Sequence, residues 1–311
     1  MSRRFAVPLL TGGLIAALAV ALAAGPTGWR SPWLLHDVVL DLRAPRVVLA
    51  GLVGASLAAA GVAMQALLQN DLADPYVLGM SGGASAGAVA SLAIWPALPP
   101  GPAAAVGAAG AVAVVRGLAR GPYDPTRLIL AGAAVGSLLA GATGLVLVLA
   151  PADRLLRSAS YWLFGGFGTP AWSSLVVPLL LLVGVAAWML LAAERLDRLS
   201  LGQDVAASLG VDVIRLRRGA LLASVALTAA AVAAGGLVGF VGLIAPHAAR
   251  RWVGASHRRL LPVAALGGAI LVVAADGAAR TAFAPREVPV GLLTAAIGGP
   301  FFLWQLQRGV R

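Results

Sequence analysis

The stretch RVVLAGLVGASLAAAGVAMQALL, residues 46–68, decides the fold class. After Arg46 it carries no charge, and it is long enough to cross a hydrocarbon core roughly 30 Å thick, which takes about 20 apolar residues as a helix. Working outward, nine further hydrophobic segments follow the same pattern: residues 5–24, 76–96, 103–118, 126–150, 172–193, 217–237, 240–253, 262–282 and 288–306. Short breaks bearing Pro, Gly or Arg separate them. The 311 residues are 60% hydrophobic and 11% charged, with a mean hydropathy of +0.91, outside the range of a soluble domain. The expectation is an all-α integral membrane protein: one polytopic domain over residues 1–311, built as a bundle of about ten transmembrane helices. The 39 Gly and 19 Pro fit this, because small residues let membrane helices approach and neighbouring helices satisfy freed carbonyls. Segment 240–253 is too short to span alone and reads as a half-helix or a re-entrant piece.

The net charge of +11 comes entirely from Arg, since the chain has no Lys. A pI near 11.6 suggests nucleic acid only if the cations share a soluble face. Here they sit in short loops between apolar stretches, where they orient helices. With the N-terminus inside, Arg3, Arg4, Arg116, Arg120, Arg127, Arg195, Arg198, Arg215, Arg217, Arg218, Arg250, Arg251, Arg258, Arg259, Arg308 and Arg311 all fall on the cytoplasmic side. Arg30, Arg43, Arg46, Arg154, Arg157, Arg280 and Arg286 face outward, so the positive-inside bias favours this orientation, with both termini cytoplasmic. Arg3 and Arg4 before an apolar run resemble a twin-arginine export signal, but the spans that follow favour a first transmembrane helix.

Several motifs point nowhere. Gly79-Met80-Ser81-Gly82-Gly83 fits the G-x-S-x-G of a hydrolase elbow, but no strand precedes it and His36, His247 and His257 are distant, so close helix packing is the plainer reading. The absence of Cys excludes disulfides, thiol catalysis and zinc–thiolate sites. The His, Met and carboxylates lack metal-ligand spacing. A chain without Lys carries no phosphate-binding loop of the Walker type, so any ATP that drives this protein binds, with its Mg, on another subunit.

Two features carry more. Residues 197–216 are far less hydrophobic than their surroundings; Leu201, Val205, Ala206 and Leu209 recur at helical spacing, and Gly202 and Gly210 interrupt them. This reads as one or two amphipathic helices outside the membrane, alternatively a passive interfacial helix. The outward Arg43 and Arg46, with Arg280 and Arg286, form a basic rim suited to acidic residues of a soluble partner, or else simply snorkel to headgroups.

The same residues resemble the permease family of vitamin B12, ferric-siderophore and haem importers over essentially the whole chain. The resemblance is carried by Leu42-Arg43-Ala44-Pro45-Arg46 with Gly51, Gly54 and Gly61; by Gln69-Asn70-Asp71-Leu72-Ala73-Asp74-Pro75 leading into Leu78 and Gly79; and by Tyr161-Trp162-Leu163. It continues through Gly239-Phe240-Val241-Gly242-Leu243-Ile244-Ala245-Pro246-His247, His257-Arg258-Arg259, Glu287-Val288-Pro289-Val290-Gly291 and Gly299-Pro300-Phe301-Phe302. It implies a homodimer with its path on the two-fold axis, two cytoplasmic ATP-binding subunits, one soluble substrate-binding protein, and transport by alternating access. Arg43, Arg46 and Arg280 match arginines that face the binding protein. Leu201, Gly202, Gln203, Asp204, Ala206, Leu209 and Gly210 match the coupling helices that dock into the ATPase. Pro122, Tyr123, Asp124, Pro125 and Thr126 lie where the family places its cytoplasmic gate. Asp71 departs from the usual Pro after Asn70, and Gln203 stands where an acidic residue is usual. The competing class, an ion-coupled secondary transporter, expects carboxylates inside its helices, and Asp276 is the strongest such residue.

Overall fold

The computed structural model describes residues 5–25, 28–29, 39–95, 97–119, 124–149, 153–284 and 286–309. Its helices are α1 (Ala6–Ala23), α2 (Ala44–Leu68), α3 (Met80–Ile94), α4 (Pro100–Leu118), α5 (Pro125–Leu149), α6 (Asp153–Leu163) and α7 (Val176–Leu191), followed by α8 (Ala193–Leu199), α9 (Gln203–Ser208), α10 (Val213–Gly235), α11 (Val241–Val253), α12 (His257–Thr281) and α13 (Val290–Gly309). The only extended pairing among the described residues joins Ala24–Gly25 to Gly28–Trp29. The fold is therefore helical, with thirteen α-helices among the described residues. Among those residues seven are long and apolar enough to cross a membrane, α1, α2, α4, α5, α7, α10 and α12, with α3 and α13 shorter apolar helices, against the about ten spans expected. Ten helices overlie the ten hydrophobic segments; α9 falls in the stretch read as amphipathic, 197–216, and α8 overlaps it only at its C-terminal end. The eleven-residue α6 lies where no helix is expected, because Asp153, Arg154 and Arg157 keep it below any spanning hydropathy.

Helix α2 is the axis of the bundle and is buried along most of its length. Pro45 pre-sets φ in its first turn, and Gln69, left-handed at φ 51°, ends it. Helices α10, α11 and α12 surround it, while α3, α4 and α5 form a second group beside it. Two backbone contacts set the spacing at the axis. A Cβ at Gly54 would run into the Gly268 carbonyl of α12, and one at Gly61 into the Gly242 carbonyl of α11. Small residues at such crossings supply the dispersion contact that holds helices together in lipid, where there is no hydrophobic drive between them. Gly54→Leu is accordingly expected to force α2 and α12 apart and cost about 1–3 kcal/mol. The measurement is the thermal midpoint of the detergent-solubilised protein, and an unchanged midpoint would contradict the crossing.

The short segment before α11 is a break between the membrane-length α10 and a short helix. Helix α10 stops at Gly235, the chain turns through Gly236 (φ 65°) and Phe240 (φ 65°), and α11 runs only 13 residues with Val241, Gly242, Ala245 and Ala249 buried. Irregular backbone at this depth is tolerated because it is enclosed by protein. The glycines of 79–83 serve packing, as the sequence suggests. Gly82 abuts Gly136 of α5 and Gly83 abuts Gly107 of α4, and a 3₁₀ turn, Pro75–Leu78, precedes them instead of a strand.

Candidate functional site

At one end of the bundle α8 and α9 form a helical pair joined by a Gly202 turn at φ 113° and closed by Gly210 at φ 78°. Its inner side is apolar: Leu196, Leu199, Ala206, Val211 and Leu216 pack with Ala66 and Ala192. Its outer side mixes exposed polar residues such as Arg198, Gln203, Asp204 and Ser208 with displayed apolar ones, Leu201 65%, Val205 45% and Leu209 49% exposed, and Ile214 at the start of α10 is 63% exposed. Of the residues expected to share one face, Ala206 points inward, while Leu201, Val205 and Leu209 are displayed. Asp204 is exposed.

Polar anchors fix this pair to the bundle. Gln69 Nε2 donates to the Leu199 carbonyl at 2.7 Å, and Arg217 donates to Gln69 Oε1 at 3.3 Å and Gln203 Oε1 at 3.2 Å. From α8, Asp197 reaches the start of α12, where its carboxylate accepts from the His257 amide at 2.8 Å, the Ser256 hydroxyl at 3.0 Å and His257 Nδ1 at 2.6 Å. Partial burial works to raise the Asp197 pKa, but the hydrogen bonds from His257 and Ser256 outweigh it and hold the carboxyl below its ordinary value. Both sequence departures are satisfied within the chain: Gln203 by Arg217, and Asp71 by Arg250 at 3.3 Å.

The opposite end carries the expected arginines, and they do not stand out as a rim. Arg43, Arg46 and Arg280 are all buried. Arg46 pairs with Asp276 at 3.0 Å and with Glu287 at 3.0 Å, and Arg280 pairs with Asp276 at 3.0 Å. Arg280 also donates to the Ala21 carbonyl and Arg43 to the Leu22 carbonyl, both at 3.1 Å. These are orphan acceptors in the last turn of α1, where a cation is also favoured by the helix dipole. Three arginines against two carboxylates leave this cluster a formal net charge of +1. Arg286, in the adjoining loop, is exposed.

Between the two ends lies a cavity of about 450 Å³ bordered by Tyr76, Val77, Leu237, Phe240, Leu243 and Phe302, with Asp74 and Ser81 as polar groups. Burial pushes the Asp74 carboxyl up to about 6, against the lowering effect of its hydrogen bond from the Tyr76 amide. Helix α5 runs alongside, and its glycines divide by role. Gly132 abuts the Val77 carbonyl and Gly136 approaches Gly79, whereas Gly141 and Gly144 face open space. Of the expected gate, Pro122 and Tyr123 lie outside the described residues. Asp124 accepts from the Thr126 amide at 2.9 Å ahead of α5, which begins at Pro125.

A chain of at least seven membrane-length helices, with a rigid helical pair at one end and a buried arginine cluster at the other, matches a known pattern along almost its whole length. Residues 9–308 match the FecCD transport family. The chain belongs to that family. It is 41% identical to the hemin transport system permease protein HmuU of Yersinia pestis over 97% of this chain and 96% of that one. It is 42% identical to the vitamin B12 import system permease protein BtuC of Vibrio vulnificus, over 88% and 83% of the two chains. With the Fe(3+) dicitrate transport system permease protein FecD of Escherichia coli it shares 40% identity over 91% and 89%. A solved chain in an inward-facing conformation, assigned to the metal-chelate type of ABC transporter, superposes with a TM-score of 0.87 at 31% identity, covering 98% of this chain and 99% of that one.

Within this FecCD chain, sequence reasoning passed over Asp197, His257 and Gln69 as anchors. Asp197 lies in an ordinary charged run, Arg195-Leu196-Asp197-Arg198, and its partner is 60 residues away, so no local spacing betrays it. Ser256 stands at the N-cap of α12 but makes no side-chain cap bond, and Asp197 accepts from the His257 amide from another helix.

Proposed function

We propose that this chain is the permease subunit of an ATP-driven importer for a metal chelate, with an iron complex such as haem or a ferric siderophore favoured and cobalamin next. The observation that carries the reading is the α8–α9 pair, which displays Leu201, Val205 and Leu209 outside the membrane-length helices while its inner side is pinned by Gln69, Arg217 and Asp197. Exposed apolar side chains on a rigid mount suit a docking partner. The chain has no Lys for a Walker loop, which accords with a separate ATPase subunit that binds ATP and Mg; this chain itself then does no ATP chemistry and binds no cofactor. The printed functions of its relatives, hemin, vitamin B12 and Fe(3+) dicitrate transport, support the chelate class.

In this reading two copies pair about a two-fold axis in the bacterial cytoplasmic membrane, each crossing it about ten times with both termini inside, and with no nucleic-acid partner. Two ATPase subunits engage α8–α9 at the cytoplasmic face, and one soluble binding protein docks outside. The segment 122–126 gates the inner side, and alternating access moves the cargo. The location of α8–α9 and the arginine cluster at opposite ends of α2 and α12 supports this orientation, as does the excess of inward Arg. Arg43, Arg46 and Arg280 are buried in this chain, so in this reading a carboxylate of the binding protein reaches the cluster by displacing the partly exposed Glu287 from Arg46. Glu287→Gln is therefore expected to tighten docking about 3–10-fold at low salt, less at high salt, measured by surface-immobilised binding. Unchanged or weaker affinity would argue against a shared arginine. The ion-coupled alternative needs a free intramembrane carboxylate, and its candidate, Asp276, is held by two arginines.

The deciding experiment reconstitutes the chain with its ATPase and binding protein in lipid vesicles and follows ATP-dependent accumulation of haem, a ferric siderophore and cobalamin side by side. Uptake of one identifies the cargo. Inability of the purified chain to bind an ATPase would overturn the permease reading.

A further inference from the structure

We infer that α2 and α12 form one strut joining the two docking faces, and that Asp197 and Gln69 are the positioning residues that fasten the coupling pair to it. The inference deepens the proposed function and rests on its two docking faces.

The argument begins with length and direction. Each helix has 25 residues, about 37 Å at 1.5 Å per residue. They run in opposite directions, since α2 begins at the arginine cluster and ends at Gln69 beside α8, whereas α12 begins at His257 beside α8 and ends at Arg280 in the cluster. Both ends of this antiparallel pair are tied. At the cluster, Arg46 in the first turn of α2 pairs with Asp276 near the end of α12 at 3.0 Å, buried on both sides. Midway, Gly54 and Gly268 bring the two backbones into contact. At the far end both helices grip α8: Gln69 donates to the carbonyl of Leu199, and Asp197 accepts three hydrogen bonds from Ser256 and His257.

The covalent neighbours of the coupling pair are α7 and α10, which precede and follow it in the chain. Its anchors nevertheless run chiefly to α2 and α12, with Arg217 of α10 bonded both to Gln69 and directly to Gln203 of α9. A packed helix pair with hydrogen-bonded ends resists axial compression and bending, so a change of tilt at the arginine cluster is delivered at Asp197 and Gln69. A partner at the cluster that prefers one tilt thereby biases the position of α8–α9, which is the differential interaction that coupling between two sites requires.

The test uses the full complex in lipid nanodiscs and compares the unaltered chain with Asp197→Ala combined with Gln69→Ala. The readouts are ATPase affinity, binding-protein affinity, and the stimulation of ATP hydrolysis by cargo-loaded binding protein. Binding-protein affinity is expected to stay within about twofold, because neither residue belongs to the arginine cluster, while ATPase affinity, read on the mount they fasten, is expected to fall far less than stimulation does. Stimulation is expected to fall at least about tenfold. Asp197→Asn with Gln69 intact keeps an oxygen to accept from the His257 amide and is expected to retain at least about half of the stimulation, which separates a positioning role from general loss of fold. Full stimulation in the double variant with both partners bound, or loss in Asp197→Asn as complete as in the double variant, overturns the strut. Failure of the unaltered chain to bind either partner is a separate outcome that overturns the docking reading beneath it.

Discussion

Replacing Asp276 by Ala is expected to destabilise the bundle by about 3–5 kcal/mol, the cost of breaking a buried ion group by removing one partner. The Asp276 side chain is 1% exposed and neutralises Arg46 and Arg280 together, each at 3.0 Å. Its removal leaves two guanidinium groups buried in one place, with Glu287 paired to Arg46. Relaxation toward solvent is limited, because Arg280 is also bound to the Ala21 carbonyl of α1. The thermal midpoint of the purified protein, followed by fluorescence of its eight Trp, should fall well below that of the unaltered chain. A combined Arg46→Met, Asp276→Leu, Arg280→Met variant should be less destabilised than Asp276→Ala alone, since apolar groups of similar volume leave no uncompensated charge. Equal midpoints for Asp276→Ala and the unaltered protein would show that the cluster is not a buried ion group.

The second large effect is on assembly. Leu201→Asp combined with Leu209→Asp should weaken ATPase binding by about 100-fold or more. Each change removes roughly 1.5–3 kcal/mol of apolar burial at the interface and asks a carboxylate to be desolvated there. Because both side chains are displayed on the outside of the pair, the melting midpoint of the permease alone should stay within a degree or two. Co-purification and equilibrium binding of the ATPase report the effect. Undiminished binding would move the ATPase interface off α8–α9, and loss of the fold would mean that these side chains pack against the bundle. Gly202 is the sharper probe of geometry in the same turn. Its φ of 113° lies where a Pro ring, fixed near −65°, cannot go.

Much of this was legible in the residues. The uninterrupted apolar run after Arg46 specified a spanning helix, because in lipid the backbone must satisfy itself and only a helix does so within one segment. The interruptions at Gly202 and Gly210 marked the helical pair correctly, because positive φ at these positions favours glycine. The shortness of segment 240–253 matches the 13-residue α11. Hydropathy by itself hid α6, whose 11 residues carry charge.

The arginines mark where local reading stops. Arg43, Arg46 and Arg280 are outward by the charge pattern, and the sequence offers no reason to bury them. Asp276 comes within 3.0 Å of Arg46 from 230 positions away in the chain, and Asp197 meets His257 from 60. Such pairs are created by packing alone, since no periodicity of 3.6 connects them. The sequence by itself determined that the chain is helical, lies in lipid and carries an amphipathic pair between two spans, because those properties follow from the hydration of each segment taken separately. Only the tertiary structure decided that the outward cations neutralise carboxylates inside the bundle and that α8 is fastened to α2 and α12, because burying a charge is tolerable only where a distant partner meets it.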